Sequence, residues 1–272
     1  MIFDTFWIDI SVIASIIAIC ILAYKAKALT LLGAVFAFFL TFGIYSSGGI
    51  PFLAALLGFF ISSSFFTKFR AKEKEELEKA LYEKGGNRDH VQVLANGGAA
   101  FVIAAAHFLM PDKQLFVVYF VAIAACNADS WASEIGIMSK ATPFSIINLK
   151  PVQKGMSGGV TFLGLFASAC GALFIAGIYT IFMFVYFPFL ELIRDYTIIA
   201  IFGFAGAAID SALGLLFQPA YIDSTGKLTE KRADGRVQNK KVKGIELFGN
   251  DMVNFVSSLV AAGLAYCAIT FL

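Results

Sequence analysis

Residues 115–135 read LFVVYFVAIAACNADSWASEI, an apolar run as far as Cys126 followed by Asn127, Asp129, Ser130, Ser133 and Glu134. A hydrocarbon core about 30 Å thick takes roughly 20 residues of helix, so this stretch is long enough to cross one. Its polar residues all fall at one end. The reading is therefore a membrane span whose chemistry lies near one surface of the bilayer.

Composition extends that reading to the whole chain. Of 272 residues, 59% are hydrophobic and 15% charged, with a mean hydropathy of +0.79, whereas soluble domains carry about 25% charged residues. Too little polar surface exists to cover a water-facing globule. Stretches of spanning length recur at about 6–24, 28–45, 51–67, 94–110, 115–135, 158–187, 196–218 and 247–272. The fold expected is an all-α, polytopic membrane bundle of about eight helices. The first stretch lacks a basic leader and an Ala-x-Ala site, so it is read as a retained span.

Nineteen of the 21 lysines and arginines fall in the odd-numbered loops, leaving only Lys113 and Arg194 on the other side. By the positive-inside rule those loops face the cytosol and both termini face away from it. Omitting any one span would scatter the charges over both sides. The chain divides into a three-helix scaffold (1–67), a charged cytosolic linker (68–93) and a five-helix catalytic core (94–272) carrying a cytosolic loop at 219–246. The linker reads as a solvated helix with Leu77 and Leu81 on one stripe, held by i,i+4 ion pairs. Four cysteines lie inside spans without metal-ligand spacing and read as packing residues.

Two segments echo each other. Asn96-Gly97-Gly98 opens the fourth span and Ser157-Gly158-Gly159, with Thr161 just beyond, opens the sixth. Each is followed by a hairpin that returns to an Asp-Ser pair, Asp129-Ser130 and Asp210-Ser211. Glycines at a helix start let backbone N–H groups approach an anion, which the helix dipole favours there. Gly249-Asn250-Asp251 begins the last span in the same manner. Both copies enter from the same side, unlike the inverted repeats of many transporters.

A carboxylate within a span costs at least about 2.5 to 3.5 kcal/mol, so Asp129, Glu134, Asp210 and Asp251 call for a functional reason. Asn127, Ser130 and Glu134 share one helical face, while Asp129 and Glu134 stand about 140° apart. Either the helix loosens between 127 and 136 or polar groups meet two of its sides. Asp210, Gly214 and Gln218 form an i,i+4,i+8 stripe, as do Glu246, Asn250 and Asn254. Oxygen donors of this kind suit Mg²⁺, which takes carboxylates together with substrate phosphates; hydrogen bonding between helices is the alternative use. The loop 219–243 is basic, its turns at Asp223-Ser224-Thr225-Gly226 and Asp234-Gly235 suggest a small β-hairpin lid, and it suits either a nucleoside triphosphate or anionic lipid headgroups. No P-loop, protein-kinase loop or His-Glu-x-x-His motif is present.

The run from Asn127 through Asp129, Ser130, Trp131, Ser133 and Glu134 to Gly136, the run Lys154-Gly155-x-Ser157-Gly158-Gly159-Val160-Thr161, and Asp210-Ser211-x-x-Gly214 with Gln218 carry a likeness. They resemble the integral-membrane family that includes the phytyl-phosphate kinase of plants and cyanobacteria and a little-characterised animal transmembrane protein. The likeness covers about 96–254. It implies phosphoryl transfer from CTP to an isoprenyl monophosphate at the cytosolic face. In that expectation Asp129, Glu134, Asp210 and Lys154 are catalytic, and Asp129, Glu134, Asp210 and Asp251 hold Mg²⁺. Asn96, Gly97, Gly98, Asn127, Ser130, Ser133, Ser157, Gly158, Gly159, Thr161, Ser211, Gln218, Asn250 and Asn254 bind substrate or nucleotide. The expected partners are an isoprenyl phosphate, a nucleoside triphosphate and membrane lipid, with no nucleic acid. The competing readings are an ion-coupled transporter of an anionic solute and a CTP-dependent cytidylyltransferase acting on a lipid phosphate.

Overall fold

The computed structural model describes residues 2–69, 81, 86–235 and 237–271. Its helices are α1 (Ile2–Lys25), α2 (Leu31–Lys68), α3 (His90–Leu109), α4 (Lys113–Gly136), α5 (Phe162–Met183), α6 (Phe189–Phe217) and α7 (Asn250–Phe271). Among the described residues, each of α2 to α7 contains a window apolar and long enough to cross a membrane. The all-α membrane class stands, and the count differs from eight at one place.

That place is α2, which joins the expected second and third spans. A straight helix of 38 residues would be about 57 Å long. Yet Lys68 Nζ donates to the carbonyl of Ala26, just before the helix begins, at 2.9 Å. The chain turns back on itself at Gly49, whose φ of 66° and ψ of −152° lie outside the helical region. Glycine adopts that conformation without a Cβ penalty, and Pro51 starts the returning half. Both spans are present, separated by a one-residue hinge.

α4 is the axis of the bundle. Every residue from Val117 to Ala128 is buried, because α2, α3, α5, α6 and α7 all pack around it. Close approach comes from small residues: a Cβ on Gly203 would meet Ala124, and one on Gly206 would meet Ala125. Such packing is how membrane helices gain contact when lipid offers no hydrophobic drive. At the end of α4 remote from Glu134, Phe52 stacks on Tyr119 with centroids 3.7 Å apart, and the Tyr119 hydroxyl donates to the Phe52 carbonyl at 2.8 Å. Asp195 is fully buried at that same end. It accepts from the Tyr179 hydroxyl at 2.6 Å and from Arg194 at 2.8 Å, with Lys113 3.8 Å away and bonded to Glu191.

Helix starts differ from the sequence expectation, most of all at α6, which begins at Phe189, not near residue 196, with Pro188 at its N-cap. α3 begins at His90, not near residue 94, since Asp89 caps it through a reciprocal pair with Gln92, a capping box that satisfies two orphan donors. α5 begins at Phe162, not near residue 158, with the Thr161 hydroxyl accepting from Gly164 N at 3.0 Å. Residues 220–243 form more than a hairpin. β3 (Ala220–Ile222) lies between β4 (Leu228–Thr229) and β7 (Lys240–Lys243), and β5 (Ala233–Asp234) pairs with β6 (Val237–Gln238). β1 (Phe144–Ser145) pairs with β2 (Gly159–Val160) below this lid.

Candidate functional site

The polar residues of the core surround a cavity of about 580 Å³ beneath the lid. α4 contributes Asp129, Ser130, Ser133 and Glu134; α6 contributes Asp210, Ser211 and its C-cap Gln218; α7 contributes Asn250, Asp251 and Asn254. The loop ahead of α5 adds Lys154, Ser157, Gly158, Gly159 and Thr161, and α3 adds Gln92 and Asn96. Because α4 is continuous from Lys113 to Gly136, the 140° between Asp129 and Glu134 reflects polar groups on two of its sides, not a loosened helix.

The acids of the cavity are supported differently. Asp210 accepts from the Ser257 hydroxyl at 2.9 Å, and Asn254, with its amide oriented to satisfy both ends, donates to Asp210 at 3.1 Å. Asp129 and Asp210 are near enough to feel each other's charge. Glu134 is engaged elsewhere: Thr67 donates to it at 2.6 Å and the Arg88 guanidinium lies within its field. Burial holds Arg88 below the ordinary arginine range, and Glu134 opposes that shift. Arg88 also donates to Ser64 at 3.0 Å and to Ser63 at 3.2 Å. The first three spans are thus not merely scaffold, since the returning half of α2 supplies the partners of Arg88 and Glu134.

Three expected ligands lie outside the cavity. Asn127 is fully buried, donating to the Gly171 carbonyl at 2.8 Å and accepting from Ser62 at 3.0 Å, while Trp131 donates to the same Ser62 hydroxyl at 3.2 Å. It ties α2, α4 and α5 together. Gly97 and Gly98 sit in the second turn of α3, where a Cβ would meet Leu40 and Phe255 respectively; they allow close packing and are not a helix start. Gly158 and Gly159 precede α5 in a turn and in β2, so their N–H groups belong to a loop. Gly158 has φ +83°, and a Cβ there would stand 2.5 Å from Leu215 Cβ. Glu246 precedes α7 and pairs with Arg232 at 3.8 Å, so it does not extend the Asn250–Asn254 stripe. Lys154 is exposed at the rim, donating to the Ser139 carbonyl at 2.8 Å.

Glu230 is the residue that sequence reading missed. It hangs from the lid just after β4, yet accepts from Ser157 N at 2.7 Å and from Gln218 Nε2 at 2.8 Å. Its own N–H donates to the carbonyl of Leu81 at 3.1 Å. Leu81 is buried against Met156 and Ala220, so the charged linker is pinned to the lid there instead of being solvated at that position; Leu77 lies outside the described residues. Burial pushes the Glu230 carboxyl above the ordinary glutamate range, against those hydrogen bonds and the charge of Lys243.

Six acids and three basic residues line the cavity. Such an excess attracts cations and repels a free polyphosphate. Among the described residues no three His, Cys, Asp or Glu side chains converge as a ready-made metal cage, which leaves the sparse carboxylate set that Mg²⁺ uses when phosphates complete its shell.

Residues 14–262 match the integral membrane protein family DUF92. The chain belongs to that family. Among DUF92-like relatives, Protein PGR of Arabidopsis thaliana is 32% identical over 96% of this chain and 95% of its own length. An uncharacterized membrane protein of Methanocaldococcus jannaschii, MJ0933, is 30% identical over 79% of this chain and 87% of its own. No solved structure matches. The DUF92 match takes in every helix that lines the cavity.

Proposed function

We propose that this protein is a Mg²⁺-dependent kinase that uses CTP to convert an isoprenyl monophosphate to its diphosphate. The observation that carries the reading is one cavity, at the polar end of an apolar bundle, that unites Asp129 and Asp210 from two spans with the glycine loop 155–159. The likeness to a family containing phytyl-phosphate kinase supplies the substrate class.

Asp129 and Asp210 would hold Mg²⁺, which would screen the phosphate charges from each other and from the acids. Asp251, in the first turn of α7, is placed to complete the oxygen donors. Glu134 acts instead through Arg88, fixing the guanidinium at the cavity wall. An oxygen of the lipid monophosphate attacks the terminal phosphorus of CTP, the bond to the bridging oxygen breaks, and CDP leaves. A monophosphate at neutral pH needs no general base, so positioning and charge stabilisation provide the catalysis. Lys154 at the rim faces the departing phosphates. The isoprenyl chain stays in the hydrocarbon with its phosphate raised into the cavity.

Transport would require polar residues through the bundle, whereas α4 from Val117 to Cys126 offers only the Tyr119 hydroxyl, which is taken by the Phe52 carbonyl. Purified protein in liposomes, given CTP, Mg²⁺ and phytyl or geranylgeranyl monophosphate, should release CDP and the diphosphate. Pyrophosphate release would identify cytidylyl transfer, and uptake of an unchanged anion would identify a transporter; either result refutes the kinase.

A further inference from the structure

The lid places a carboxylate on donors that a phosphate would use. Both oxygens of Glu230 are engaged, one by the backbone N–H of Ser157 and the other by the side-chain amide of Gln218. The Ser157 N–H belongs to the glycine loop, ahead of a residue with φ +83° packed on the backbone of Leu215, and Gln218 caps α6 two turns beyond Asp210. Neither donor belongs to the lid strands that carry Glu230. Glu230 reaches them across 73 and 12 residues of sequence, into a cavity already rich in acid. Placing one more carboxylate there is costly, and a simple loop tie would be served as well by a neutral amide.

We infer that Ser157 N–H and the Gln218 amide form an oxyanion receptor for a phosphate group, and that Glu230 is its resident anion until a phosphate displaces it. The inference rests on the phosphate-binding reading of the cavity and adds a latch to it. Displacement frees β4 from the glycine loop, so the lid is seated when the receptor holds its own glutamate and lifts as phosphate docks. A receptor filled by its own chain weakens the apparent affinity of any competitor by the fraction of molecules left open. Removing the glutamate therefore tightens phosphate binding, whereas removing a receptor donor weakens it. A carboxylate that merely positioned the lid would give the same sign in both cases.

The test uses the full-length protein in detergent with Mg²⁺, titrated calorimetrically with inorganic pyrophosphate. Glu230→Ala should bind pyrophosphate about fivefold more tightly than wild type and Gln218→Met about fivefold more weakly. Hydrogen exchange gives a readout independent of turnover: pyrophosphate should speed exchange in the wild-type segment 228–231 while leaving the Ser157 amide protected. Repeating the titration with CTP and with an isoprenyl monophosphate in micelles shows which phosphate takes the receptor, the one whose affinity rises in Glu230→Ala. Equal or weaker pyrophosphate binding in Glu230→Ala overturns the latch. So does an unchanged 228–231 segment in wild type, which needs no variant to fold; Glu230→Met, which keeps the bulk but has no oxygen acceptor, repeats the titration if the alanine variant is unstable. If pyrophosphate behaves as expected and no diphosphate is ever made, the latch stands and the kinase reading falls.

Discussion

Gly158→Ala should unseat the glycine loop, and the size of the effect can be worked from two independent contributions. A non-glycine residue at φ +83° pays about 1–2 kcal/mol for the left-handed conformation. Its methyl group would also stand 2.5 Å from Leu215 Cβ and 2.9 Å from Leu215 Cα and N. The last two belong to helical backbone in the last turn of α6 and cannot swing aside as a side chain could, so overpacking adds about 1–3 kcal/mol. A total near 2–5 kcal/mol corresponds to roughly 5–15 °C in Tm for a chain of this size. Alternatively the loop moves outward, which would break the bond from Ser157 to Glu230 and expose that amide. Gly177→Ala is the control, since nothing lies within 4 Å of a Cβ there and alanine favours the helix by up to about 1 kcal/mol. Thermal melting in detergent with hydrogen exchange over residues 155–160 reads both routes. If Gly158→Ala melts with Gly177→Ala and exchanges as wild type, the packing argument is wrong.

Asp129→Asn and Asp210→Asn should each lower diphosphate formation about 100-fold or more while Tm holds or rises, because a neutral amide is cheaper to bury; a falling Tm with retained turnover refutes their assignment. Asn127→Leu should cost about 1–3 kcal/mol, since it removes the hydrogen bonds to the Gly171 carbonyl and to Ser62 that join three helices, and denaturant melts should show it without a change in KM for CTP. Lid seating should weaken as pH rises. Glu230 holds its proton more tightly when buried than when lifted, so the seated state is favoured at and below the ordinary glutamate range and loses that advantage as pH climbs above it. Exchange of segment 228–231, corrected for intrinsic rates, should accelerate over that climb in wild type but not in Glu230→Gln.

Much of this architecture is legible in the chain because membrane spans are encoded by length and polarity, which are local properties. The polar end of residues 115–135 and the Asp210-Ser211 pair could be placed at one end of the bundle from position alone. Helix starts were less legible. Asn96-Gly97-Gly98 resembles an anion-binding start, but the capping box of Asp89 and Gln92 begins α3 sooner and turns those glycines to packing. Asn127 shares a helical face with Ser130 and Glu134, yet α5 and α2 close over it, which depends on partners distant in sequence. Glu230 left the weakest signal, one of three acids in a basic loop, with donors that lie in other elements. Its flanks, Thr229 and Lys231, differ little from the rest of the loop.

The ionic cluster of Lys113, Glu191, Arg194 and Asp195 is about 22 Å along α6 from Asp210, with Tyr119, Phe120 and Tyr179 filling the interval. Most of any transmembrane voltage must then fall across that packed layer. Charges arriving at Asp129 and Asp210 from the open side would cross little of it, and moving one elementary charge through the full field is worth about 2.3 kcal/mol per 100 mV. Ligand binding at the cavity should therefore be electrically silent: the protein can work in an energised membrane without drawing on its potential or leaking it.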